Sequence, residues 1–419
     1  MSNIHRTILT EWLDRPLPQI IARDQSLDLA VIPNVKKATV ITGFRRTGKT
    51  YLLFSAIGKL LVSASRKDVV YLNFEDERIP QQTDFLSRLL PEIHAFYSQK
   101  PKYLFLDELQ NIPFWSKWLR RILDTEDIRL FVTGSSSKMS SFELPTELRG
   151  RSWEQTVYPL NFSEFLRFKK ENSLSMETVL FEEYLLWGGL PEVVLSPPAK
   201  RQELLQLYFQ TVVRKEITDR FKIRNTTALK TVLKLILNST YLTVSKLYNN
   251  LKSLGLAVGK TTLNQYVSYA ESSYFLSLLR YYSPSMKNQL QYPRKPYFID
   301  NGFLTSLSTK FSNNYGRLLE NLTYWKLFKE NENVFYHRDE KSREVDFIVM
   351  KNGNVSSIYQ VCYDISDRET YDREVNSLVR LGKKFHCESL FLLTRNTVPT
   401  PSGIILLSLP EFFGGLMSK

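Results

Sequence analysis

The sequence predicts an α/β protein of several domains: a parallel sheet covered by helices on both faces, then a helical and strongly basic region, then a second α/β domain. Three observations predict this. Short apolar runs alternate with amphipathic helical segments up to residue 136, the order of a parallel sheet. Helical periodicity takes over from residue 200 to residue 275, where basic residues concentrate. Beyond residue 296, strand-like runs return between two helical segments. At 419 residues the chain exceeds the size at which one core stops growing, and a hydrophobic fraction of 43% supplies material for several.

Composition narrows the setting. The N-terminal MSNIHRTILTEWLDR carries charges where a signal peptide needs an apolar run, and the longest apolar stretches are short and interrupted. Only Cys362 and Cys387 are present, which excludes a disulfide framework or a cysteine-rich zinc site and suits a reducing compartment. A cytoplasmic protein without a membrane segment is expected. The formal charge is +13, and its distribution is uneven. Between Lys200 and Lys295 stand 16 Lys and Arg against four acids, Glu203, Glu216, Asp219 and Glu271, so this span carries +12. A polyanion, DNA foremost, is the partner such a span suggests. A basic helical surface that serves a protein partner is the competing reading.

The N-terminal elements can be justified in order. KKATVITGFRRTGKTYLLFSAIGKLLV reads as a strand over 38–42, a glycine-rich loop and an amphipathic helix. The loop, Gly43-Phe44-Arg45-Arg46-Thr47-Gly48-Lys49-Thr50, fits GxxxxGK[ST] at every fixed position and lies between strand and helix as that motif requires. Gly43 and Gly48 permit the turn that lets backbone N–H groups wrap phosphates, and the helix N-terminus adds its positive dipole end. Lys49 is expected to neutralise β- and γ-phosphate charge, and the Thr50 hydroxyl to bind Mg²⁺. DVVYLNFEDER supplies a strand over 69–74, with helical segments near 82–98 and 113–124. PKYLFLDELQN then places an apolar strand, Tyr103–Leu106, directly before Asp107 and Glu108. An acid pair at the end of a buried strand suits a magnesium-bound triphosphate: Asp107 toward the metal through water, Glu108 as the base for an attacking water.

The strand in IRLFVTGSS, residues 128–136, ends in polar residues, and Thr133 or Ser135 is a candidate for contact with the γ-phosphate or the attacking water. In ELRGR, Arg149 and Arg151 offer guanidinium groups that could stabilise transition-state charge, from within the chain or across a subunit interface. Surface salt bridging competes for each. The additional strand between phosphate loop and acid strand, with Glu108 beside Asp107, is similar to the ATPase division of P-loop proteins.

VYPLNFSEFLRF and YLLWGGLPEVVL mark a change of character, punctuated by Pro159, Gly188, Gly189 and Pro191. The expected division is 1–160, the phosphate-binding domain; 161–223, a helical linker; 224–295, a basic domain; and 296–419, the C-terminal domain. ALKTVLKLILNST, TVSKLYNNLKSLG and KTTLNQYVSYAESS read as three helices, followed by a hairpin from YFLSLLRYYSP to KPYFIDNG. Three helices and a two-stranded wing make a winged helix-turn-helix. Lys260, Thr261, Thr262, Asn264 and Gln265 open its third helix and suit phosphate and base-edge contacts. Tyr266, Tyr269 and Tyr274 read as packing residues.

In the last domain, NNYGRLLENLTYWKLFKEN is a helix with Glu320 on it, followed by strands FYHRD, EVDFIVM and SIYQVCYD, a helix over 370–382 and the strand ESLFLLTR. That order is the order of a restriction-endonuclease-like core. Active members gather a helix Glu, a strand Asp and an ExK around Mg²⁺. Glu320 and Asp346 occupy the first two places, while Gln360 and Cys362 stand where glutamate and lysine should be. Neither is a hard anionic ligand or a fixed cation, so phosphodiester hydrolysis should be crippled unless Lys351 or Lys383 substitutes. Asp346 is expected to pair with His337, Arg338 or Arg343.

GFRRTGKT, YLFLDELQNIPFW, LFVTGSS, ELRGR, YPLNFSEFL, WGGLPEVV, YFIDNGFL and EVDFIV, in this order, make the chain resemble prokaryotic AAA-type ATPases that carry a C-terminal domain of unknown function. The resemblance implies ATP as the nucleotide with Mg²⁺, a winged-helix region and a nuclease-like tail. It implies the phosphate-loop roles for Gly43, Gly48, Lys49, Thr50, Asp107 and Glu108. The expected function is an ATPase that couples nucleotide state to DNA or a protein partner. Its alternatives are an ATP-regulated metal-dependent nuclease and a nucleotide-gated interaction switch, and oligomers fit any of them.

Overall fold

The computed structural model describes residues 3–30, 35–134, 148, 150–170, 174–308, 314–331, 333–339 and 343–414. Two compact units result, Met1–Tyr158 and Pro159–Lys419.

The first unit is built on five parallel strands: β1 (Ala38–Thr42), β2 (Val69–Asn73), β3 (Tyr103–Asp107), β4 (Arg129–Thr133) and β5 (Ser152–Thr156). Their order is β2-β3-β4-β1-β5, so β4 separates the loop strand β1 from the acid strand β3. The apolar residues divide by alternation. Val40, Leu104, Leu106, Leu130 and Val132 face one core, shared with the helices Thr83–Tyr97 and Trp115–Thr125. Ile41, Phe105 and Phe131 face the other, beneath the helix Lys49–Leu60, where Phe105 and Phe131 stack at 4.6 Å. Burial on both faces is why these strands read as continuous apolar runs. Two elements were not anticipated. A helix over Asn3–Asp14 packs against Thr83–Tyr97, with His5 stacked on Phe85 at 4.0 Å. The polar edge strand β5 pairs with β1 from Ala38↔Ser152 to Thr42↔Thr156.

The second unit begins with helices. Asn161 caps Phe162–Lys169 in a capping box with Glu164. Leu174–Trp187, Pro191–Leu195 and Pro198–Thr211 follow, the last running into the π-helical stretch Val212–Asp219. Thr226–Leu237, Val244–Ser253 and Lys260–Ser272 then pack against one another.

A mixed sheet completes this unit: β6 (Leu276–Tyr281), β7 (Lys295–Phe298), β8 (Val334–Arg338), β9 (Glu344–Lys351), β10 (Asn354–Val361), β11 (Leu390–Thr394) and β12 (Ile404–Ser408). The strand order is β12-β11-β10-β9-β8-β6-β7. β6 and β7 form an antiparallel pair, and an isolated antiparallel bridge links Leu242 to Arg294, the residue before β7. β8, β9 and β10 form the antiparallel meander, and β11 and β12 continue parallel to β10. The helices Tyr315–Glu330 and Arg368–Phe385 accompany them. A division at 295/296 falls inside β7, and β6 pairs in parallel with β8. Hairpin and C-terminal strands are therefore one sheet, because β6 carries a second edge that the following meander fills. Among the described residues, no helix is long and apolar enough to cross a membrane.

Candidate functional site

At the carboxyl end of β1 the chain turns through Gly43 (φ 134), Arg46 (φ 70) and Gly48 (φ 96). A Cβ on Gly43 would lie 2.3 Å from the Val157 carbonyl oxygen, so only glycine fits where β1 leaves β5. Thr47 Oγ1 donates to the Phe44 carbonyl at 2.9 Å and closes the loop on itself. The Lys49 ammonium is buried and donates to the carbonyls of Gly43 and Phe44, each at 3.1 Å. Phe44 is a core side chain, so what it offers a ligand is backbone. Arg45 reaches outward to Glu75 at 2.9 Å. Sequence reasoning missed Arg23, whose two terminal nitrogens donate to the carbonyls of Thr47 (2.8 Å) and Tyr158 (3.0 Å). No local motif marks such a residue, which braces the loop from a preceding segment.

The acid strand meets this loop through hydroxyls. Asp107, almost wholly buried, accepts from Thr50 Oγ1 at 2.7 Å, from the Tyr71 hydroxyl at 3.0 Å and from Thr133 Oγ1. Burial, and then the neighbouring Glu108, push its carboxyl above the usual carboxylate range, while the three hydroxyls pull it back. Tyr71 was not anticipated, because it faces inward from an apolar strand and looks like core. Thr133 also accepts from the Glu108 N–H at 2.9 Å. Its single hydrogen is directed at Asp107 and its side chain is fully buried. Glu108 stands at φ 56, a left-handed conformation that costs an L-residue about 1 kcal/mol. Gln110 Nε2 donates to its carboxylate at 2.5 Å.

Arg151 is placed otherwise than expected for an in-chain catalytic arginine. It precedes β5, its carbonyl accepts from the N–H of Ala38 at the start of β1, and its side chain pairs with Asp124 at 3.4 Å. That is the end of the sheet opposite the phosphate loop. Arg149 and Ser135 lie outside the described residues.

In the second unit, Lys260, Thr261, Asn264 and Gln265 are exposed and Thr262 is partly so, while Leu263, Tyr266, Val267 and Ala270 turn inward. Tyr269 stacks on Phe221 at 3.7 Å. Glu320 and Asp346 do come together, but around a residue that sequence reasoning did not choose. Lys295 Nζ lies 2.6 Å from Glu320 Oε1 and 3.3 Å from Asp346 Oδ1, and also pairs with Glu344. Burial alone would lower this ammonium, but Glu320, Tyr297, Asp346 and Glu344 together raise it well above the usual lysine range. The expected partners of Asp346 make other contacts: His337 Nδ1 contacts the Tyr282 carbonyl at 3.0 Å, Arg343 pairs with Asp339 at 2.9 Å, and the Arg338 guanidinium lies 5.9 Å from the Tyr241 ring centre. Gln360 donates to Glu374 at 2.6 Å, and Cys362 Sγ to the Asp364 carbonyl at 3.1 Å. Burial pushes the Cys362 thiol up to about 11, so it stays neutral near pH 7.

A five-stranded parallel sheet with a phosphate loop at one strand end and a buried acid pair two strands away defines a P-loop protein of the ATPase type. Residues 35–166 match the AAA domain family, residues 178–314 a domain of unknown function (DUF8612) and residues 315–412 another (DUF4143). An uncharacterized protein of Methanocaldococcus jannaschii is 34% identical over 390 residues, covering 89% of this chain and 84% of its own length. The chain belongs to the family of that protein, and in this chain an AAA domain precedes the two domains of unknown function. An uncharacterized protein of Haemophilus influenzae is 29% identical, covering 78% of this chain and 83% of its own length. Among solved structures, the Walker-type ATPase PABY2304 of Pyrococcus abyssi is similar at 13% identity, a TM-score of 0.45, and coverage of 73% of this chain and 95% of that one.

Proposed function

We propose that the protein binds ATP with Mg²⁺ at the phosphate loop, hydrolyses it slowly, and couples its nucleotide state to duplex DNA through the basic region. The observation that carries the nucleotide reading is the junction of Lys49, Thr50 and Asp107: a buried ammonium that donates to two loop carbonyls, beside a hydroxyl–carboxylate pair of hard oxygens. Such a set suits a magnesium–triphosphate, with Thr50 and Asp107 holding the ion. The bound ion supplies neutralisation of phosphate charge. Lys49 exchanges its loop carbonyls for β- and γ-phosphate oxygens, and the N–H groups from Gly43 to Thr50 bind the remaining phosphate oxygens. Glu108, steered by Gln110 and by the Thr133 bond to its N–H, takes the proton of the attacking water. Thr133 is a positioning residue. Arg151, which pairs with Asp124 at the other end of the sheet, serves only from a neighbouring copy.

Two variants separate binding from turnover. Lys49→Ala should abolish binding of a fluorescent ATP analogue. Glu108→Gln should retain binding and lose turnover by about 10²–10⁴-fold, the contribution of a general base. Undiminished phosphate release by Glu108→Gln would remove Glu108 from its role.

The DNA reading rests on charge and exposure together. Residues 200–295 hold +12 of the chain's +13, and the outward face of Lys260–Ser272 is the polar face. Three packed helices, a short pair at Leu242 and Arg294 and the β6–β7 hairpin support a winged-helix reading of this region, with Lys260, Thr261, Thr262, Asn264 and Gln265 toward the groove.

A further inference from the structure

The resemblance to nuclease cores implies a divalent metal between Glu320 and Asp346, and the residues present do not fit one. Lys295 is 2% exposed, and its three ammonium hydrogens face three carboxylates, those of Glu320, Glu344 and Asp346. Each of those carboxylates also accepts from a further donor. Tyr297 donates to the same Glu320 oxygen at 2.5 Å, Tyr241 donates to Glu344, and the Val361 N–H donates to Asp346 Oδ2 at 3.0 Å. The rings of Tyr241 and Tyr336 flank the ammonium at 5.8 and 5.6 Å from Nζ. A magnesium ion needs oxygens at about 2.1 Å in octahedral array, which here means the space of the ammonium itself. Two cations a few ångströms apart in so buried a place repel strongly. Among the described residues, no group of three His, Cys, Asp or Glu is placed to hold a metal.

We infer that the Lys295 ammonium is the resident cation of this carboxylate cluster, which therefore takes no divalent metal and cleaves no phosphodiester, and instead clamps the β6–β7 hairpin to the C-terminal strands. The connectivity gives the clamp its reach: the lysine begins β7, Glu320 comes from the helix Tyr315–Glu330, and Glu344 and Asp346 from β9. Burying one ammonium among three carboxylates is tolerated because hydrogen bonds satisfy each group, and removing the cation leaves like charges facing one another. Gln360 and Cys362 follow from the same arrangement. With an internal cation in place, the sheet needs neither a further metal ligand nor a water-activating lysine at those positions.

The test uses the full chain without nucleotide, in an Asp107→Asn background that removes the metal ligand of the phosphate loop. Calorimetric Mn²⁺ titration is compared with and without Asp346→Asn. No Mn²⁺ site that Asp346→Asn abolishes is expected, and one would overturn the inference. Thermal unfolding then compares Lys295→Met with Lys295→Met carrying Glu320→Gln and Asp346→Asn. The single change should lower Tm sharply, and neutralising the two acids should restore part of the loss. An unchanged Tm for Lys295→Met would refute the clamp. If that variant fails to accumulate, the Mn²⁺ comparison in the Lys295-containing protein still decides whether metal binds.

Discussion

Thr133 shows how much one hydroxyl organises. It holds Asp107 through its hydrogen and the Glu108 backbone through its lone pair, and both acids belong to the proposed chemistry. Thr133→Val keeps the shape and removes both bonds, which leaves a buried carboxylate with one donor fewer and a buried N–H without its acceptor. Denaturant unfolding should report a loss of about 1–3 kcal/mol, and turnover should fall while nucleotide affinity changes little. A variant with wild-type turnover would reduce Thr133 to packing. Lys295 is the complementary case of a decisive residue that the sequence does not announce. A carboxylate in the apolar run around Asp346 calls for a metal, a cation or an exposed strand end, and the run itself does not say which. Its partner, however, stands 51 positions away in a strand of another sequence block, where nothing local distinguishes one lysine among many. Tyr71 and Arg23 were hidden for the same reason, since their roles are made by tertiary approach.

Among the elements, the turn WGGLPE and the strand end YFIDNG depend on one carboxylate. Asp300 accepts from the N–H groups of Gly189 (2.7 Å) and Gly302 (2.9 Å), and a Cβ on Gly188 would lie 1.9 Å from its Oδ1. Burial raises its carboxyl to about 6, against the pull of the Gly189, Gly302 and Leu190 N–H groups and of Lys329. The folded chain thus holds this proton more tightly than the unfolded one. The stabilising contribution is full below the ordinary carboxylate range and is lost as pH rises through about 6. Relative to Asp300→Asn, wild-type stability should therefore fall between about pH 4 and the folded value and level off above it. Paired unfolding curves across that window check it, and a constant difference would refute it. The parallel strands were legible because burial on both faces makes apolar runs, and the phosphate loop because its glycines and lysine are contiguous. The polar edge strand β5 was not legible, since SWEQT is at most partly buried throughout and carries neither an apolar run nor an apolar–polar alternation. The hairpin read as a separate wing for a related reason: pairing of β6 with β8 is a long-range choice that turn chemistry does not encode.

Over the whole molecule, charge and nucleotide chemistry belong to different stretches of chain, and the proposed function couples them. Binding to duplex DNA should weaken steeply with salt. Neutralising about six phosphates corresponds to about a 10³-fold loss of affinity between about 50 and 200 mM. Replacing Lys260 and Gln265 by alanine should weaken binding and leave nucleotide affinity unaltered. The steady-state rate of ATP hydrolysis with and without duplex DNA, run beside Lys49→Ala, tests the central claim most directly. A Lys49-dependent rate that DNA raises is the expected result. A rate indifferent to DNA, with no salt-sensitive DNA binding, would contradict it and assign the basic surface to a protein partner.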